Sequence, residues 1–201
     1  MTKSRTFLAA LAIGLSAVAA PAIIAPAAAA TVDTSDPGRF VTSLSGEAFR
    51  VLRTGSKASA RGQFRQLLGQ YFAVDAIGDR LIRSWRAKIS PAQYQAYQAA
   101  LPGFLINTYA DRLYDYADAK VAVTRSVPRG NGAAVVSQVT RPGGNPVTAI
   151  WTVETIGGGP KITNLTVAGV NLVLTQTADF DSYIQKNGFD KLVAFMRSRA
   201  G

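Results

Sequence analysis

Near residue 119 the hydrophobic period of this chain changes from 3.6 to 2, and that switch constrains the fold more than any other feature. Upstream, apolar residues recur at three- and four-residue spacing, as in helices with one buried face. Downstream they alternate, as in strands with one buried face. Helices come first and strands afterwards. This order predicts an α+β fold, with N-terminal helices packed on one face of an antiparallel sheet.

Four helices are expected before the switch. Ser35 or Asp36 caps the first, with Pro37 in its opening turn and Phe40, Val41, Leu44, Ala48, Val51 and Leu52 on one face. The second, about 58–72, groups Phe64, Leu67, Leu68, Tyr71 and Phe72, and the third, about 74–88, stacks Ile77, Leu81, Ile82 and Trp85. Ser90-Pro91 supplies an N-cap followed by proline at the first helical position. The fourth helix continues to about residue 116 with Pro102 and Gly103 inside it, which predicts a kink near Leu101. The run 71–116 carries more large apolar and aromatic surface than a domain of this size needs to hold itself together.

After the switch, 120–127, 133–140, 146–155, 161–168 and 170–175 read as five strands. Arg129-Gly130-Asn131-Gly132, Pro142-Gly143-Gly144-Asn145 and Gly157-Gly158-Gly159-Pro160 supply the turns. The last of these opens no helix, and Lys161 is followed by Ile162, so it is a hairpin turn rather than a phosphate cradle. Two short helices, about 178–186 and 189–198, close the chain, with Asn187-Gly188 between them. A curved sheet closed by helices makes a cone with an apolar interior.

Residues 1–30 are expected to be a cleaved secretory signal peptide rather than part of the fold. Lys3 and Arg5 give a positive start, residues 7–20 an apolar stretch, and Ala27-Ala28-Ala29-Ala30 a small-residue cleavage region before Thr31. Pro21 and Pro26 interrupt the stretch and no stop-transfer pattern follows, which argues against a retained anchor. Residues 31–201 then form one domain, large enough to bury a core without disulfides. The expected product is a free, soluble protein beyond the inner membrane.

The chain has no cysteine and no histidine. It forms no disulfide and carries no lipidated cysteine, and Ser-His-Asp and Cys-His catalysis are excluded. Transition-metal sites lose their usual ligands, so neither a metal nor a cofactor is expected. Without Lys3 and Arg5 the chain keeps 20 basic and 12 acidic residues, a net charge of +8. For an exported protein such a surface suits anionic lipid or acidic protein faces, and no nucleic-acid partner is expected.

On the third and fourth helices Ile77, Leu81, Trp85, Leu101, Leu105, Tyr109 and Leu113 are expected to point inward. On the strands Val135, Val139, Trp151, Val153, Leu165, Leu172 and Leu174 form one inward set. Singly, each is an ordinary core residue. Together, a kinked helix facing a curved sheet leaves space, and an aromatic-lined apolar pocket is what a ligand site looks like. Two other readings stay open. One is an isomerase or dehydratase on the same cone, using Asp111 or Asp115 with a tyrosine. The other is an interaction adaptor with a solid core.

Four stretches, in order, resemble the MlaC / toluene-tolerance Ttg2D family of periplasmic phospholipid-binding proteins. They are YFAVDAIGDRLIRSWRAKISPAQYQAYQAALPGFLINTYADRLYDY, VTRPGGNPV, LTVAGVNLV and FDSYIQKNGFDKLVAFMRS, within residues 71–198. The resemblance implies a nuclear-transport-factor-like cone enclosing acyl chains, with head groups near solvent. It implies two partners, an inner-membrane ABC transporter carrying lipid-binding domains and an outer-membrane lipoprotein–porin complex. It maps pocket positions onto Leu105, Tyr109, Trp151 and residues 170–173. The lipid-binding set expected from the pattern and the resemblance together is Phe72, Leu81, Trp85, Leu101, Leu105, Tyr109, Leu113, Trp151, Leu165, Val170, Leu172 and Val173. Pro160, Ile150 and Ala168-Gly169-Val170-Asn171 depart from the family pattern. A more apolar lining would suit a hopanoid as well as a phospholipid.

Overall fold

A computed structural model of the chain describes residues 32–54 and 56–200, with all their side chains except those of residues 57, 110–113 and 200. The expected leader, residues 1–30, lies outside the described residues.

Helix starts follow local chemistry. α1 (Pro37–Arg53) begins after Asp36, whose Oδ1 accepts from the backbone N–H of Gly38 at 2.8 Å and Arg39 at 3.1 Å. The Ser56 hydroxyl accepts from the N–H of Ser59 at 3.2 Å to cap α2 (Lys57–Tyr71). At the head of α4 (Pro91–Tyr114), Ser90 Oγ accepts from Gln93 N–H at 3.2 Å, and Gln93 Oε1 accepts in return from Ser90 N–H at 2.9 Å. That reciprocal box satisfies two donors that a helix start leaves open. Beyond Pro102, α4 runs on without a break to Tyr114.

The sheet is an antiparallel meander in the order β1 (Lys120–Arg129), β2 (Gly132–Thr140), β3 (Val147–Ile156), β4 (Gly159–Val167), β5 (Val170–Asn171). Register puts Val135 opposite Trp151 and Trp151 opposite Leu165. The pairing shifts between Val123 and Arg125 and again between Thr152 and Val153. Such bulges bend a strand and increase its twist, which lets a sheet curl toward helices on one face. Ala168 and Gly169, at φ 50° and 83°, make the tight turn into β5. The chain then closes with α5 (Leu172–Asn187) and α6 (Phe189–Ala200). The α+β expectation is borne out in element order and sheet type.

Two elements differ from the sequence expectation. α3 (Val74–Leu81) is shorter than the expected 74–88. Ile82 leaves helical geometry, tight turns follow, and a single 3-10 turn covers Arg86–Lys88. The fully buried Ile82 side chain and a 2.6 Å hydrogen bond from Trp85 Nε1 to Asp181 Oδ1 tie this segment down. The expected strand 170–175 is strand only at Val170–Asn171. Asn171 Oδ1 accepts from Leu174 N–H at 3.0 Å and starts a helix at Leu172. An apparent alternation of Val170, Leu172 and Leu174 thus loses to an N-cap and to the helical stripe Val173, Gln176, Phe180, Ile184. Leu174, expected inward, is exposed.

The buried residues form two separate cores. One lies among the helices, where Tyr97 packs against Phe180 and Phe189 and Phe104 packs against Phe180. The other joins α1 to the sheet through Phe40, Val41, Leu44, Val135, Val153 and Ile162. Phe72, held where the end of α2 meets β4, packs against both.

Candidate functional site

Between the two cores lies an apolar cavity of about 460 Å³. Ile77 and Leu81 reach it from the helical core, Leu44 and Ile162 from the helix–sheet core, and Phe72 from the junction. Its remaining walls come from α1 (Ala48, Phe49), α2 (Phe64, Leu67, Leu68), α4 (Leu105, Ile106, Tyr109), the sheet and the start of α5. Many of these large apolar side chains are only partly buried, Phe64, Leu67, Leu68, Leu105 and Leu165 among them. They border unfilled space instead of packed neighbours. The volume falls within the roughly 300–1,000 Å³ of small-molecule pockets.

The few polar lining groups are held by partners. Asn164 Oδ1 accepts from the N–H of Leu165 at 2.9 Å and of Val173 at 3.4 Å, which pins β4 to the start of α5. Tyr109 Oη donates to Gln176 Oε1 at 3.3 Å, linking α4 to α5. Ser45 donates to the Val41 carbonyl at 2.6 Å inside its own helix. Trp151 donates its indole N–H to Ser137 Oγ at 2.9 Å, which sets the plane of the ring against the cavity. Because Ser137 is fully buried, Ser137→Ala leaves that N–H without its acceptor. The expected loss is about 1–3 kcal/mol, read as a lower urea midpoint together with a changed tryptophan emission.

No Asp, Glu, Lys or Arg lines the cavity among the described residues. Asp115, considered for acid–base chemistry, lies instead in a second, polar pocket beside Tyr114, Asp118 and Arg141. The side chain of Asp111 lies outside the described residues. An interior with no proton donor or acceptor stronger than a phenol, amide or hydroxyl is suited to holding a ligand. Among the described residues it offers no carboxylate to move a proton.

Of the twelve residues expected at the site, eight line the cavity: Phe72, Leu81, Leu105, Tyr109, Trp151, Leu165, Leu172 and Val173. Leu101 is fully buried within the helical core instead. Trp85 packs on the outside of that core, clasped to Asp181 and covered by the Lys88 ammonium 4.9 Å from its ring. Val170 is half exposed at the β4–β5 turn. The Leu113 side chain lies outside the described residues. The expected set also lacked a whole wall, that of α1 and α2. The spacing of Phe64, Leu67, Leu68 and Phe72 marks one helical face, and it is this face that looks into the cavity.

An apolar cavity inside an α+β fold, with no charged group among its described walls, defines a binding protein for apolar ligands. The chain belongs to the MlaC protein family, whose profile matches residues 43–198. Over 127 residues, 62% of this chain, it is 28% identical to the toluene tolerance protein ttg2D of Pseudomonas putida; the match spans 59% of that protein's length. In three dimensions it is similar to a phospholipid-binding protein from Ralstonia solanacearum, solved in complex with a phospholipid. That likeness has a TM-score of 0.68 and 24% identity, and covers 83% of this chain and 97% of the other. The family resemblance read in the sequence is borne out, and with it the fold.

Proposed function

We propose that this protein is a periplasmic lipid carrier that holds phospholipid acyl chains in its apolar cavity and moves them between the two membranes. The single observation that carries the proposal is the cavity of about 460 Å³, walled by both cores and free of charge among its described lining residues. The phospholipid in the Ralstonia solanacearum protein and the family membership support the same reading. Residues 31–201 act as one lipid-binding domain, exported behind the leader 1–30. Phe72, Leu81, Leu105, Tyr109, Trp151, Leu165, Leu172 and Val173 touch the ligand.

The physics is solvent substitution. Each methylene kept out of water avoids a cost of about 0.8 kcal/mol. Bilayer and cavity are both apolar, so loading and unloading lie near balance, as a carrier requires. Direction then comes from the partners, an inner-membrane ABC transporter with lipid-binding domains and an outer-membrane lipoprotein–porin complex. The net charge of +8 that remains without Lys3 and Arg5 favours approach to anionic membranes or acidic partner faces.

Purified protein, denatured and extracted with organic solvent, is expected to release about one lipid per chain on mass spectrometry. Phospholipid as the main species supports the proposal. A hopanoid keeps the carrier and changes its cargo, and protein that neither carries lipid nor takes it up from vesicles refutes the proposal.

A further inference from the structure

We propose that the polar pocket beside the cavity is a headgroup subsite for a zwitterionic lipid, one joining a phosphodiester to an ammonium group. This inference rests on the carrier reading above. The pocket, about 370 Å³, forms where the end of α4 meets the β2–β3 turn. Tyr114, Asp115 and Asp118 come from one side, and Arg141 with the Pro142-Gly143-Gly144 turn comes from the other.

Its connection to the cavity runs through Tyr116. The Arg141 guanidinium sits 4.9 Å from the centre of the Tyr116 ring, and Tyr116 lines the apolar cavity. Val139 and Val147, which flank the turn carrying Arg141, line that cavity as well. A lipid with its chains inside and its polar end at this rim therefore meets the charged pocket first.

Both signs of charge are on offer there. The planar guanidinium fits phosphate oxygens with paired hydrogen bonds, and the ring beside it orients it without neutralising it. Among the described residues Arg141 is ion-paired with neither Asp115 nor Asp118. The turn that carries it is closed by Gly144 N–H donating to the Arg141 carbonyl at 3.0 Å, with Gly143 at φ 68°. That fixes where Arg141 leaves the backbone. A headgroup with phosphate alone would meet Arg141 but face two carboxylates. One with an ammonium a few bonds beyond the phosphate satisfies both sides of the pocket.

The test loads the purified protein from vesicles of equal phosphatidylethanolamine and phosphatidylglycerol, followed by extraction and mass spectrometry. The wild type is expected to enrich phosphatidylethanolamine roughly two- to five-fold, the range an exposed ion pair supplies, with the preference narrowing at high salt. Asp115→Asn with Asp118→Asn brings the ratio to parity, and Arg141→Gln lowers loading of both lipids alike. All three positions are exposed, so the variants keep the fold. A wild-type ratio at parity, a preference surviving the double substitution, or unchanged loading in Arg141→Gln overturns the subsite while leaving the carrier reading intact. A wild type that takes up neither lipid refutes the carrier reading, and the subsite with it.

Discussion

Replacing Leu105 by glutamate is expected to cut lipid recovered from the protein by at least tenfold while leaving the fold in place. Leu105 lies on α4, partly buried against the helical core and facing the cavity, so its side chain borders the space a ligand would fill. A carboxylate there must lose its water when acyl chains enter, with no cation among the described lining residues to compensate it. Desolvating an unpaired charge costs several kcal/mol, and every ~1.4 kcal/mol is a tenfold change in affinity. With the cavity empty, water can reach the carboxylate, and glutamate is a good helix former, so folding loses little. Leu105→Met, which keeps volume and apolarity, is the control expected to retain lipid. Mass spectrometry of extracted lipid with circular dichroism of the same samples decides the matter. Undiminished lipid in the glutamate variant would remove Leu105 from the site.

The second large effect concerns stability. Tyr97 is fully buried at the centre of the helical core, its ring 5.8 Å from Phe189 and 6.3 Å from Phe180. Its hydroxyl donates to the Gly78 carbonyl at 3.0 Å, joining α4 to α3. Burial pushes the phenol far above its ordinary pKa, so it stays a neutral donor. Tyr97→Ala is expected to cost about 3–5 kcal/mol, because it removes a buried aromatic from packing that cannot collapse around the gap. Against a typical domain stability of about 5–15 kcal/mol, that is a large share. Tyr97→Phe keeps the ring and loses only the hydrogen bond, at about 0.5–1.5 kcal/mol. Urea unfolding of the three proteins should order them wild type, phenylalanine, alanine, with the larger gap at the second step. Equal losses for both variants would place the hydroxyl, rather than the ring, at the heart of this core.

The two substitutions probe different properties of neighbouring positions on α4, and only one of those properties is local. Tyr97, Leu101 and Leu105 share a face by their four-residue spacing, and the sequence shows that face to be apolar. Spacing cannot say where along the face the packed core stops and the cavity starts. Leu101 turns out to be core, while Leu105 is wall. Continuing the period of α3 puts Trp85 inward, but the helix ends at Leu81 and the indole turns to Asp181 instead. The reading of 170–175 as a strand rests on three alternating apolar residues and takes no account of Asn171, whose side chain caps α5. Competition between a cap and a short alternation is resolved by what the segment packs against, here the helical core through Val173 and Phe180.

What the sequence determined by itself was local: helix starts from Asp36 and Ser90, the glycine-rich hairpin turns and the change of period near residue 119. These depend on residues a few positions apart, whose hydrogen bonds and torsional preferences act wherever the chain is. The cavity depends on distant parts of the chain together. It exists because the core built on α3 to α6 and the core built on α1 and the sheet are separate clusters, bridged at Phe72. The space between them is the difference between the volume that six helices and a bulged sheet enclose and the volume their side chains fill. No stretch of sequence contains that difference, so only the tertiary structure could decide which apolar residues form solid core and which form the wall of a binding site.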